Sequence, residues 1–243
     1  MDLTEVNPDN ANRHPWELSR RDSLLRVIDT LGPLGDVADV GAGDRFFARA
    51  LQARATGRVY AIDSFYPHTG MVEGIQLERS AASIPDASLD CVVMMDVLEH
   101  VEQEGPLLRD VRRTLKPGGA LLVTVPAYQR LFFAHDAFMK HFRRYNRRQL
   151  RRVLEAEGFA VTRTFHFYAA LCAARLLQVA KERIAGPAPA KGAGAWPFGV
   201  NHPATVTVKT LLDWDYRVCA GLAALGVFVP GLSLCAVCRK TSA

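Results

Sequence analysis

The sequence predicts an α/β fold built on a doubly wound, mostly parallel sheet. Three observations carry that reading. Short runs rich in β-formers, Val37–Val40, Val59–Ile62, Leu89–Met95 and Ala120–Val125, alternate with stretches of helical spacing, the rhythm that right-handed crossovers turn into a parallel sheet. Leu89–Met95 and Ala120–Val125 are almost wholly apolar, as strands buried on both faces are. The first run passes through Gly41-Ala42-Gly43 into Phe47-Ala48-Arg49-Ala50-Leu51. A strand, a glycine turn and a helix start in succession bring backbone N–H groups up to a ligand.

Taken in order, residues 14–31 place Leu18, Leu24, Leu25, Ile28 and Leu31 at helical spacing, with Pro15 near the first turn, and predict an amphipathic helix laid on the core. Gly32-Pro33-Leu34-Gly35 ends it. The helix after the glycine turn runs to about Arg54 and stops at Gly57. Val59–Asp63 is the second strand, Tyr66–Glu73 has no clear pattern, and Ile75–Glu78 reads as a third strand. Val101–Leu115 reads as a helix stopped by Lys116-Pro117-Gly118-Gly119. Asn146 with Gln149 three residues later forms a capping box for a helix that keeps Leu150, Val153 and Leu154 on one side. Phe159–Phe167 and Leu232–Arg239 are the last strand candidates. The residues between them, 168–230, form a helical insertion: an apolar helix from Ala169 to Ile184, a Gly/Pro/Ala linker over Ala185–Pro203, and a helix from Thr205 to Leu225.

The 243 residues, 49% of them hydrophobic, suit a single domain spanning the chain. The net charge of +5 is concentrated between Arg143 and Arg152, which argues less for a nucleic-acid surface than a basic face spread over the fold would. Asp2, Glu5 and Asp9 interrupt the N-terminus, so no signal peptide is expected and the cytoplasm is the expected location. Val218–Leu234, the longest apolar stretch, is broken by Pro230 and by glycines, so no transmembrane segment is expected. Five scattered cysteines read as reduced buried thiols, and Cys235-Ala-Val-Cys238 lacks the second pair that a zinc site needs.

Three features narrow the ligand of the glycine turn. The position of a third dinucleotide-binding glycine is occupied by Phe46. Asp39 lies two residues before Gly41, where a carboxylate suits a cationic or amine-bearing ligand. Asp63 ends the second strand twenty residues after Gly43, where an acid accepts hydrogen bonds from ribose hydroxyls. Together they describe an adenosine with a short charged amino-acid tail.

At this point the chain resembles the class I S-adenosylmethionine-dependent methyltransferases. Val37-Ala-Asp-Val-Gly-Ala-Gly43 is similar to their first motif, Val59–Asp63 to their ribose-binding strand, Leu89–His100 to their fourth strand and the turn after it, and Leu115–Pro126 to their fifth strand. Asp44 departs from the family, which places a third small residue there. The resemblance implies a seven-stranded Rossmann-like sheet, S-adenosylmethionine as cofactor and S-adenosylhomocysteine as product. It implies cofactor contacts from Asp39, Gly41, Ala42, Gly43, Asp63, Ser64, Ser80, Ala81, Asp96 and Val97. No metal ligand is expected.

Residues 127–145 follow the fifth strand and should face the transferred methyl group, since open α/β sheets bind ligands beyond the carboxyl ends of their strands. The candidate catalytic residues are His135, Asp136, His141 and Tyr145, with a loop histidine as general base. His100, Tyr128, Arg143 and Arg144 are the candidate substrate contacts. The expected reaction is methyl transfer to a small molecule, at oxygen or nitrogen with carbon as a further option. The alternatives are a non-catalytic cofactor-binding module and a nucleic-acid methyltransferase. The Asn/Asp-Pro-Pro-aromatic signature of base amino-methyltransferases is missing after the fourth strand, where Asp96-Val-Leu-Glu99 stands, so no nucleic-acid partner is expected. The insertion offers a face for a homodimer, a membrane surface or an apolar acceptor.

Overall fold

A computed structural model of the chain describes residues 12–186 and 196–241. The acidic N-terminal residues Asp2, Glu5 and Asp9 and the middle of the expected linker lie outside the described residues. Eight strands form one sheet: β1 (Val37–Val40), β2 (Val59–Ile62), β3 (Gly70–Val72), β4 (Ile75–Glu78), β5 (Leu89–Met95), β6 (Leu115–Pro126), β7 (Phe159–Phe167) and β8 (Ser233–Lys240). Their spatial order is β3-β4-β2-β1-β5-β6-β8-β7. Pairings from β4 to β6 are parallel, while β3, β8 and β7 join antiparallel. The expected α/β fold is present with one strand more than the seven expected. The extra strand, β3, comes from the patternless stretch after Asp63 and pairs only at the edge with β4.

Among the described residues seven α-helices accompany the sheet: α1 (Pro15–Asp29), α2 (Phe46–Leu51), α3 (Glu104–Thr114), α4 (Ala134–Phe138), α5 (Arg147–Ala156), α6 (Ala169–Ala185) and α7 (Pro203–Ala224). Buried side chains divide into two clusters. One unites Leu24 and Ile28 of α1, Phe47 and Leu51 of α2, and Leu212 and Tyr216 of α7 with Val93, Phe165 and Cys235. The other unites Leu108 and Val111 of α3 and Leu150 and Leu154 of α5 with Val92, Leu121 and Cys238. Cys235 and Cys238 thus sit on opposite faces of β8, since side chains alternate along a strand, and share no site.

Local signals explain the helix starts. The Asn146–Gln149 capping box closes as expected, at 2.9 and 3.0 Å. His14 and Glu17 form a second one at α1, with Pro15 in its first turn. Helix α3 begins later than its apolar pattern suggests, because Leu98–His100 winds into a 3-10 turn. The Lys116–Gly119 stretch, read as a helix stop, also serves as the start of β6.

Helix α7 belongs to the insertion expected over residues 168–230. It packs on α1 and β7, with Tyr216 edge-on to Phe165 and Phe167 at centroid distances of 5.9 and 5.8 Å. Its Asp215 accepts the Ala169 and Ala170 N–H groups at 2.8 Å and so caps α6. No helix among the described residues is long and apolar enough to cross a membrane.

Candidate cofactor and active site

Strand β1 pairs with β2 on one side and β5 on the other. The chain therefore reverses its winding direction there, and a crevice opens at the carboxyl ends of these strands. A cavity of about 490 Å³ lies in it, lined by Gly41, Asp63, Ser64, Ser80, Ala81, Asp96, Val97 and His100 among others. The volume falls in the range of small-molecule sites, about 300–1,000 Å³. A smaller pocket continues from Gly41 and Ala42 towards Trp16, Arg20 and Arg21 of α1.

The glycine turn needs its glycines. Gly41 adopts φ +74°, and a Cβ there would stand 2.5 Å from Val97 Cγ2. Gly43 has φ 50° and donates its N–H to Asp63 Oδ2 at 2.9 Å. The second oxygen of Asp63 accepts the Phe65 N–H at 3.0 Å. The ribose-binding candidate is thus fixed in place by the turn itself. Asp39 is 1% exposed, and neither oxygen has a hydrogen bond of good geometry, the Ala48 N–H contributing only weakly. Burial drives its pKa up to about 7, Asp63 adds to this and Arg20 opposes it in part. Such a carboxyl accepts a cationic ligand group readily. Asp44, the departure in the turn, pairs with Arg13 and accepts the Phe46 N–H at 3.1 Å, so it ties the segment before α1 to the turn.

Asp96 stands at the tip of β5 with φ 50°, a strained value for a non-glycine residue. Its Oδ2 pairs with Arg20 of α1 at 2.7 Å, and Oδ1 accepts the Thr124 hydroxyl at 3.2 Å. Arg20 also donates to Thr124 at 2.9 Å. Helix α1 is thereby fastened over the crevice. Trp16, Arg20, Arg79, Met139, Lys140 and Phe142 line the two pockets and are absent from the sequence-based candidates. Met139–Phe142 do fall within the expected loop, where its histidines and arginines drew the assignment instead.

The loop is organised around Asp136, which is fully buried. It accepts from Arg144 Nε at 2.6 Å, Arg175 Nη2 at 3.2 Å and the Phe133 N–H at 3.1 Å, and lies 3.1 Å from His141 Nδ1. Burial alone would raise its pKa, but these donors hold it well below the usual carboxylate range. Asp136 as acceptor puts a proton on His141 Nδ1, and in the neutral ring that tautomer leaves Nε2 as an acceptor.

The expected catalytic and substrate residues separate. His141 meets the cavity wall through His100, with ring centroids 4.6 Å apart. Tyr145 is 2% exposed and donates to Leu98 O at 3.1 Å, with Glu104 Oε1 2.9 Å away. Arg143 pairs with Glu104, and Arg144 with Asp136. Tyr128 stacks on His166 at 5.1 Å. Among these candidates only His100 lines the cavity, whereas His135, Asp136, His141, Tyr145, Tyr128, Arg143 and Arg144 do not. For the arginines and the phenol the reason is electrostatic: buried Asp136 holds Arg144, and half-buried Glu104 holds Arg143 and Tyr145. Of the rest of the basic run, Arg147 donates to Thr164 at 3.0 Å, while Arg151 pairs with Glu155 at 3.1 Å on the exposed face of α5.

Glu99, which drew no assignment from the sequence, is fully buried, and neither carboxylate oxygen is hydrogen-bonded to another residue. Burial, followed by the charge of Asp96, raises its pKa well above the usual range.

A parallel sheet with its ligand crevice at the β1/β5 switch, two glycines, an acid at the end of β2 and a buried acid in β1 define the class I S-adenosylmethionine-dependent methyltransferases. The model of a family described as a methyltransferase domain matches residues 14–164, and the chain belongs to that family. S-adenosylmethionine is the cofactor of this class, and the glycine cradle and the buried, weakly bonded Asp39 fit it. A Mycolicibacterium smegmatis protein designated a probable S-adenosylmethionine-dependent methyltransferase is 31% identical over 143 residues, 53% of each chain. A ubiquinone/menaquinone biosynthesis C-methyltransferase of Cronobacter sakazakii is 37% identical over 75 residues, 30% of each chain. The chain therefore spans about half, or less, of the length of these curated relatives. The solved structure of an S-adenosylmethionine-dependent methyltransferase from Mesorhizobium loti shares the fold with a TM-score of 0.58 at 15% identity, over 98% of this chain and 100% of that one.

Proposed function

We propose that the protein transfers the methyl group of S-adenosylmethionine to a small-molecule acceptor at an oxygen or a nitrogen. The 75-residue likeness to a C-methyltransferase adds carbon as a third acceptor atom. The observation that carries the reading is that Asp63, Ser80, Asp96 and His100 line one cavity. In this reading Asp63 holds the ribose, Gly41 and Gly43 admit the methionine portion, and Asp39 faces its cationic end. The sulfonium carries the methyl group, and the protein's chief task is to align an acceptor in line with it. His100 stands on the cavity wall with the His141 ring edge-on behind it, 4.6 Å between centroids. Trp16, Met139 and Phe142 supply apolar walls that keep water from the sulfonium.

Isothermal titration with S-adenosylmethionine tests the cofactor part. Wild type binds, and Asp63→Ala, which removes charge-assisted hydrogen bonds to the ribose, weakens binding roughly 10- to 100-fold. No binding by wild type refutes the proposal. Transfer of labelled methyl to a panel of hydroxylated and aminated small molecules then identifies the acceptor class.

A further inference from the structure

Three residues with metal-ligating chemistry meet beside the cavity. One ligand atom from each of Glu99, His100 and His141 lies within 4.8 Å of the others. We propose that these residues bind a divalent transition-metal ion, zinc foremost, at the wall of the cofactor cavity.

Several independent features point to a cation. Glu99 is fully buried with both oxygens lacking a partner from another residue. A buried carboxylate persists when a charge or a metal satisfies it. His141 is already oriented as a ligand: its Nδ1 is held 3.1 Å from Asp136, itself fixed by Arg144 and Arg175. A carboxylate on the far ring nitrogen is the usual companion of a metal-bound histidine and leaves Nε2 for the ion. The Phe142 N–H donates to Glu99 O at 2.7 Å, which ties the His141 segment to the Glu99 turn. Two histidines and one glutamate match the donor set of open zinc sites, which keep a further position for water or substrate. Ligands of a tetrahedral zinc stand about 3.3 Å apart, so small side-chain rotations close the remaining gap.

His100 lines the cavity, so an ion held by it would adjoin the cavity and could take a ligand from it. There it holds an acceptor hydroxyl and loosens its proton, as metal ions do for bound water. The hydroxyl proton passes to solvent through the open cavity, the ionised oxygen forms the new O–CH3 bond, and the S–C electron pair stays on sulfur as S-adenosylhomocysteine leaves. His141 is in this arrangement a ligand and not the general base. The acceptor role rests on methyl transfer being the reaction, but the metal site does not.

The experiment titrates chelator-treated full-length protein with Zn²⁺ and, separately, with S-adenosylmethionine. Wild type is expected to bind one Zn²⁺ per chain. Glu99→Gln and His141→Ala are expected to lose more than about tenfold in zinc affinity, the loss seen even for groups that only orient a ligand, with cofactor affinity unchanged. Absence of zinc binding in wild type, or equal binding by the variants, overturns the proposal. Co²⁺-loaded wild type gives a readout independent of variant folding: nitrogen/oxygen ligation supports the site, and a thiolate charge-transfer band, marking cysteine ligation, overturns it. Acetohydroxamate, a small bidentate oxygen ligand, is expected to shift the cobalt bands. Unchanged bands refute the open position. Failure of cofactor binding alongside intact zinc binding refutes methyl transfer and leaves the metal site standing.

Discussion

At the scale of single residues, Asp39 shows how a site stores unfavourable chemistry for a ligand. Its pKa of about 7 in the folded chain exceeds the ordinary value. The folded state therefore binds more protons than the unfolded state between about pH 4 and pH 7. Asp39's contribution to stability falls as the pH rises through that window and is flat beyond it. Asp39→Asn removes this slope. Thermal denaturation should find the variant close to wild type near pH 4 and more stable near pH 8, by at most about 4 kcal/mol. On the proposed reading the same variant should also bind S-adenosylmethionine more weakly, because the negative charge beside the glycine turn is gone. Asp39 and Asp63 could be picked out by their spacing to the glycines. Glu99 could not, since its importance lies in a partner forty-two residues later, His141.

Among the elements, the stretch after β6 and helix α7 are the two whose roles changed most. The stretch reads in sequence as a row of proton-transfer groups, yet Asp136 recruits Arg144, Arg175 and His141 into a buried network. Removing one partner leaves the others charged and desolvated. Asp136→Ala should therefore cost about 3–5 kcal/mol in urea denaturation, a far larger effect than losing one catalytic contact would have on stability. Helix α7 presents Tyr216 to the sheet at 5% exposure and Trp214 outward at 61%. Tyr216→Ala should cost about 3–5 kcal/mol and Trp214→Ala less than about 0.5 kcal/mol. Equal losses would contradict the packing of α7 on β7 described above.

For the whole molecule, the parallel sheet and its switch point were legible because each depends on local chemistry. Leu89–Met95 and Ala120–Val125 are too apolar to face water, Gly41 and Gly43 supply positive φ, and Asn146 and Gln149 cap a helix by contacts three residues apart. The sequence by itself therefore determined the strand and helix order, the crevice beside the glycine turn and Asp63 in its wall, while Asp39 lies buried behind that wall. What only the tertiary structure decided was how charges far apart in the chain pair. Arg20 reaches Asp96 across 76 residues, Arg175 reaches Asp136 across 39, and Glu99 meets His100 and His141 at the cavity wall. Such pairings follow from which groups burial leaves without water. Burial is a property of the assembled fold, so residue type and spacing along the chain do not encode them.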